Sequence, residues 1–205
     1  MPKKAKAQRM SPQLNIATLL TWLRIAAIPL VVLVFYLPLL IGPYSWSRPA
    51  AALVFTVAAI TDWLDGYLAR RLNQTSAFGA FLDPVADKLM VTTVLVIIVQ
   101  ADPQAYLAIT AAIIIGRELT ISALREWMSE LGRRHHVAVS GTGKLKTILQ
   151  MVGLGAMLWY QPTFGLPLYA IGKALLILAA GLTLWSMAIY LRSAWPHMAE
   201  ADINS

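Results

Sequence analysis

Apolar residues run through this sequence in long blocks, with polar and charged residues gathered between the blocks rather than alternating with them. Six blocks cover approximately residues 15–40, 49–70, 84–101, 104–131, 145–160 and 166–191. Each reaches or approaches the ~20 residues that a helix needs to cross a bilayer. A helix lying on a soluble core would show an apolar stripe at every third or fourth position instead. The pattern therefore predicts an all-α polytopic membrane protein with six transmembrane helices. Turn-forming residues separate the blocks, namely Gly42-Pro43, Asp102-Pro103, Gly141-Thr142-Gly143 and Gln161-Pro162.

Composition agrees: of 205 residues, 58% are hydrophobic and 13% charged. The formal net charge of +7 would point to nucleic acid in a soluble protein. Here the cations sit at the ends of apolar blocks, as the positive-inside rule requires, so nucleic acid is excluded as a partner and the lipid bilayer takes its place. Lys3, Lys4, Lys6 and Arg9, the residues after Arg70, the connection 132–146 and Arg192 fall on one side; the other side has little besides Arg48. Both termini are thus expected in the cytoplasm. Residues 1–13 read as a basic cytoplasmic or interfacial arm, 14–193 as one membrane domain and 194–205 as a cytoplasmic tail. The first apolar block is too long for a secretory h-region and reads as a retained helix. Cysteine is absent, which removes thiolate chemistry and disulfides.

Against this background the segment from Asp62 to Asp87 stands out, because it places Asp62, Asp65, Asp83 and Asp87 within or beside two apolar blocks. Ionised side chains are costly in a bilayer and mark functional positions. Asp62 and Asp65 are three apart and Asp83 and Asp87 four apart, so each pair shares one helix face. Four facing carboxylates repel unless cations intervene, and an oxygen-only donor set suits Mg²⁺ or Mn²⁺. Two such ions would clamp a phosphoryl group. Gly66 and Ala69 strip bulk from the helix face beside them, Gly79 does the same from the facing segment, and Arg70 offers a planar fork for a phosphate.

Blander readings exist for each residue taken singly. Asp83 precedes Pro84, the usual N-cap and first position of a helix. Gly66 and Ala69 also suit close helix packing, and Arg70 with Arg71 suits an interfacial anchor. Caps and anchors do not, however, require Asp62 and Asp65 inside a membrane span.

The spacing D-x-x-D-G-x-x-A-R-x8-G-x3-D-x3-D resembles the signature of the CDP-alcohol phosphotransferases at every fixed position from Asp62 to Asp87. The likeness extends to Leu14-Asn15-Ile16, Thr18 to Thr21, Arg24, Gly116-Arg117-Glu118, Ser122 to Trp127 and Lys144 to Thr147. Ala17 stands where the family often has proline, which touches only the helix entry. These flanks resemble the bacterial members that use glycerol 3-phosphate. The resemblance implies a six-helix enzyme of the bacterial cytoplasmic membrane, usually a homodimer. It transfers a phosphatidyl group from CDP-diacylglycerol to sn-glycerol 3-phosphate and releases CMP, with the active site facing the cytoplasm. By position, Asp62, Asp65, Asp83 and Asp87 would be metal ligands and Asp87 also the general base. Asp62, Asp65, Gly66, Ala69, Arg70 and Gly79 would line the cytidine diphosphate site.

The acceptor's phosphate needs cations of its own. Arg117, in the middle of an apolar block, and Lys144 and Lys146, at the start of the fifth, are the candidates, with interfacial snorkelling the competing role for the lysines. Arg117 has a second reading as a partner of Glu118 from a neighbouring subunit or of another buried acid. Arg24 either pairs with a buried acid or approaches the cavity. His135 and His136 have no ligand-type companions and read as a solvated loop. A divalent-cation transporter would explain the aspartates, though not Gly66, Ala69 and Arg70; cation-dependent CMP release separates the two. Other acceptors, such as phosphatidylglycerol, serine or an inositol phosphate, share the same signature.

Overall fold

The computed structural model describes residues 16–42, 45–72, 77–130 and 142–203, and they form six helices. These are α1 Ile16–Ile41, α2 Ser47–Leu72, α3 Ala77–Ala101, α4 Ala105–Glu130, α5 Thr142–Trp159 and α6 Leu168–Ile203. No strand occurs among the described residues, only a single bridge between Thr163 and Leu166 in the α5–α6 connection. Three stretches are long and apolar enough to cross a bilayer, Leu19–Ile41, Ala105–Leu124 and Leu168–Ile189, and Leu145–Trp159 is a shorter apolar one.

The surface of the bundle is that of a membrane protein. Leu39, Val57, Ile109 and Trp185 all point outward, among many other large apolar side chains. A water-soluble monomer does not tolerate apolar surface on that scale. The interior is apolar: Phe55 of α2, Val94 and Leu95 of α3, Ile114 of α4, Leu154 and Met157 of α5 and Leu176 of α6 are almost wholly enclosed. α1 lies on α2 and α3, α2 on α5, and α6 on α4 and, most extensively, on α5.

Two local expectations are corrected. α3 begins at Ala77, so Asp83 and Pro84 lie inside the helix and Asp83 is not its N-cap. Thr142 and Gly143 belong to α5 rather than to a turn. In both places the helix runs through residues that carry a local signal for a turn or a helix start. The Gly42-Pro43 turn lies partly outside the described residues, and His135 and His136 lie wholly outside them.

One end of the bundle is closed by a polar and aromatic clasp. Lys173 Nζ and Tyr169 Oη both reach Asp102 Oδ2 at 2.7 Å, and Lys173 also donates to Tyr106 Oη at 3.0 Å. Arg48 stacks over Tyr160 at 4.2 Å and over Phe35 at 5.3 Å, and Tyr160 meets Tyr169 edge to face. Tyr160 follows α5 with φ 64°, a left-handed cap unusual for an aromatic residue and held here by its ring partners. All six helices contribute to this end. It therefore carries a second cation besides Arg48, namely Lys173, which apolar composition had hidden within the sixth block.

The hydrogen bonds from Lys173 and then Tyr169 hold the Asp102 carboxyl below its ordinary value of 3.8. A lowered carboxyl stabilises the fold fully above that ordinary value and loses its contribution as pH falls through the lowered one. Asp102→Asn is expected to cost about 1 kcal/mol. The check is the melting temperature in detergent: the gap between wild type and variant should hold at neutral pH and shrink on strong acidification.

Candidate active site

The end opposite the clasp gathers the acidic residues. Asp62 sits four turns into α2, and Asp87 on α3, and both meet Arg24 of α1. Arg24 Nη2 lies 2.6 Å from Asp62 Oδ1 and Nη1 lies 2.9 Å from Asp87 Oδ1. The guanidinium is 2% exposed, whereas the two carboxylates are 40% and 47% exposed, so each acid faces the open space on its other side. One turn earlier on the same face of α1, Thr21 Oγ1 donates to Asp83 Oδ1 at 2.5 Å. Three of the four predicted aspartates thus converge on one face of α1, although they come from two other helices.

Beside them opens a cavity of about 870 Å³. Arg24, Asp62, Asp87, Lys88 and Glu118 form its polar end, and Phe55, Met90, Ile114, Met151 and Trp159 line the apolar remainder. From Thr147 to Trp159 the wall follows α5 for ~18 Å, more than the half-thickness of a bilayer's hydrocarbon core. A charged mouth leading into an apolar trough suits a ligand with an anionic head and long hydrocarbon chains.

The other predicted residues are distributed as follows. Arg117 is 13% exposed and pairs through Nη1 with Glu118 Oε1 of its own chain at 2.7 Å. Its Nε is buried without a hydrogen-bond partner among the described residues. Lys146 is buried in α5. Neither lines the cavity, where Glu118 and Thr147 stand instead. Asp65, Gly66, Ala69 and Arg70 occupy backbone positions in α2, Gly79 in α3 and Lys144 in α5, but their side chains lie outside the described residues.

Sequence reasoning missed Thr21, Lys88 and Ser122. Lys88 Nζ donates to Ser122 Oγ of α4, which places an ammonium group in the cavity wall next to Asp87. The signal for Lys88 was its adjacency to Asp87; for Thr21 it was the three-residue spacing from Arg24, which sets both on one helix face.

The donor set fits a hard divalent cation. It is made of carboxylate oxygens only, and two of them already converge on a positive charge, that of Arg24. Among the described residues no three acidic or histidine side chains come close enough to hold an ion by themselves. Asp65, whose side chain is not described, is the remaining acid of the set.

Helices that bring spaced aspartates to the mouth of a lipid-sized trough define a class of membrane enzymes acting on phosphate-linked lipids. The chain belongs to the CDP-alcohol phosphatidyltransferase family, whose model matches residues 14–185. It is 53% identical over 186 residues to the CDP-diacylglycerol--glycerol-3-phosphate 3-phosphatidyltransferase of Pseudomonas fluorescens, covering 90% of this chain and 92% of that one. It is 54% identical over 182 residues to the enzyme of the same name from Escherichia coli strain K12, covering 89% and 96%. The family generally uses divalent metal ions.

Proposed function

We propose that this chain transfers the phosphatidyl group of CDP-diacylglycerol to sn-glycerol 3-phosphate, giving phosphatidylglycerophosphate and CMP. The observation that carries the reading is the convergence of Asp62, Asp83 and Asp87 on one face of α1, with Asp62 and Asp87 at the charged mouth of an apolar trough. The similarity to the two phosphatidyltransferases, over nine-tenths of the chain, supports the choice of acceptor.

In this reading Asp62, Asp65, Asp83 and Asp87 hold two divalent cations, Mg²⁺ or Mn²⁺. Bound there, such cations would supply compensation for the charge of the donor's phosphates and of departing CMP. Asp62, Asp65, Gly66, Ala69, Arg70 and Gly79 receive the cytidine diphosphate, and the acyl chains enter the trough beside Phe55 and Met151. Asp87 accepts the proton of the acceptor hydroxyl as its oxygen attacks the lipid-bearing phosphorus. A new P–O bond forms, the bond to the CMP phosphate breaks, and CMP leaves with the electron pair. The bilayer supplies the donor laterally. Six spans, a cytoplasmic N-terminal arm and a homodimer in the bacterial inner membrane complete the reading, with the active site on the cytoplasmic face where the loop cations accumulate.

The deciding assay uses the purified protein in detergent with CDP-diacylglycerol, glycerol 3-phosphate and Mg²⁺. CMP and phosphatidylglycerophosphate are expected in equal amounts, and chelation should stop both. Release of neither product would overturn the reading, whereas products from serine or phosphatidylglycerol alone would change the acceptor.

Arg117, Lys144 and Lys146 receive the acceptor's phosphate in this reading. Arg117 holds a buried donor to spare beyond its bond to Glu118. Arg117→Ala is expected to raise the KM for glycerol 3-phosphate by roughly tenfold or more, the effect of losing a charged hydrogen bond of ~1.5–3 kcal/mol. The KM for CDP-diacylglycerol should move little. The reverse pattern would remove Arg117 from the acceptor site.

A further inference from the structure

The guanidinium of Arg24 is enclosed in the bundle and bridges two carboxylates from two different helices. A buried ion pair of this kind contributes little net stability compared with apolar packing, because taking its charges out of water offsets the attraction between them. Its presence on an otherwise apolar helix therefore calls for a reason beyond holding α1 in place. The geometry gives one. Each arm of the fork takes one oxygen of one acid, which fixes the rotation of both carboxyl groups, and Thr21 fixes Asp83 from one turn away. The acids, about half exposed, present their remaining surface to the cavity.

We propose that the Thr21–Arg24 face of α1 is the positioning element of the cation site: Arg24 orients Asp62 and Asp87, and Thr21 orients Asp83, so that their oxygens are held ready for a divalent ion. Neither residue touches the reacting atoms. This inference rests on the carboxylates being cation ligands, as proposed above. A lysine would preserve the charge of Arg24 but not the two-pronged geometry, since an ammonium is a point charge on a flexible stem. Outer partners that orient metal-binding groups typically contribute 10–100-fold to metal affinity.

The test is Mn²⁺ affinity, measured by electron paramagnetic resonance on the full-length protein in detergent, for wild type, Arg24→Ala, Arg24→Lys and Thr21→Val. Positioning predicts at least about tenfold weaker Mn²⁺ binding in both Arg24 variants, and weakening in the same direction in Thr21→Val. If Arg24 were only a counter-charge competing with the ion, Arg24→Ala would bind Mn²⁺ more tightly and Arg24→Lys would match wild type. Either result, or affinities unchanged across the series, overturns the inference. Thr21→Val is nearly isosteric and keeps the question open to test should the Arg24 variants not fold; unaltered affinity there would count against it. Failure of the wild type to bind Mn²⁺ would strike the underlying reading of the aspartates instead. Activity at saturating Mn²⁺ gives a second readout, because a positioning defect is partly restored there and a collapsed fold is not.

Discussion

Asp87→Asn is expected to leave a folded protein that has lost about 10²- to 10⁴-fold in turnover, the usual contribution of a positioned general base. The substitution is close to isosteric, and the amide oxygen still accepts the bond that Arg24 Nη1 now gives to Asp87 Oδ1, so the α1–α3 link at 2.9 Å has a reason to survive. What disappears is the negative charge and the capacity to take a proton from the acceptor hydroxyl. Because Asp87 is also proposed to bind a cation, the rate is to be measured with Mg²⁺ raised to saturation. A deficit that persists there belongs to proton transfer, and one that vanishes belongs to ion binding. Retention of most of the wild-type rate in the purified variant would end the base assignment.

The second large effect lies far from the chemistry. α5 and α6 cross at Gly153 and Gly172, where a Cβ on Gly172 would stand 2.7 Å from the Gly153 carbonyl oxygen and 2.8 Å from Met157 Cγ. The first of these contacts is with backbone, which cannot swing aside as a side chain can. A Cβ on Gly153 would in turn stand 3.0 Å from the Gly172 carbonyl oxygen. Gly172→Ala is therefore expected to lower stability by about 1–3 kcal/mol through overpacking, and Gly172→Leu by more. Gly181, on the same helix, has nothing within 4 Å of its own added Cβ, so Gly181→Ala should be neutral or mildly stabilising through helix propensity. Unfolding in mixed micelles compares the three. A Gly172→Ala protein as stable as Gly181→Ala would mean that the crossing relaxes freely.

The parts of this architecture that were legible in the sequence are those encoded locally. Long apolar blocks gave six helices because each block is longer than any strand or amphipathic stripe, and the Asp62 to Asp87 spacing singled out aspartates that the fold brings to one face of α1 because charge within apolar sequence is conspicuous. The start of α3 was not legible: Asp83-Pro84 carries a sound local signal for a helix beginning, yet the helix starts at Ala77 and passes through it. Pairings between helices were equally hidden. Arg24 meets acids on α2 and α3, and Gly153 meets Gly172 on the next helix, and no short-range pattern reports either. The environment of Lys173 followed the same logic, since its charge is met by Asp102 and the Tyr106 ring from elsewhere in the chain, as well as by Tyr169 one turn earlier on its own helix.

The clasp built on Asp102, Lys173, Arg48 and Tyr160 has a mechanical corollary. It ties the helices together with ring contacts and hydrogen bonds that involve no ligand, so the bundle is braced at one end independently of whatever binds among the carboxylates at the other.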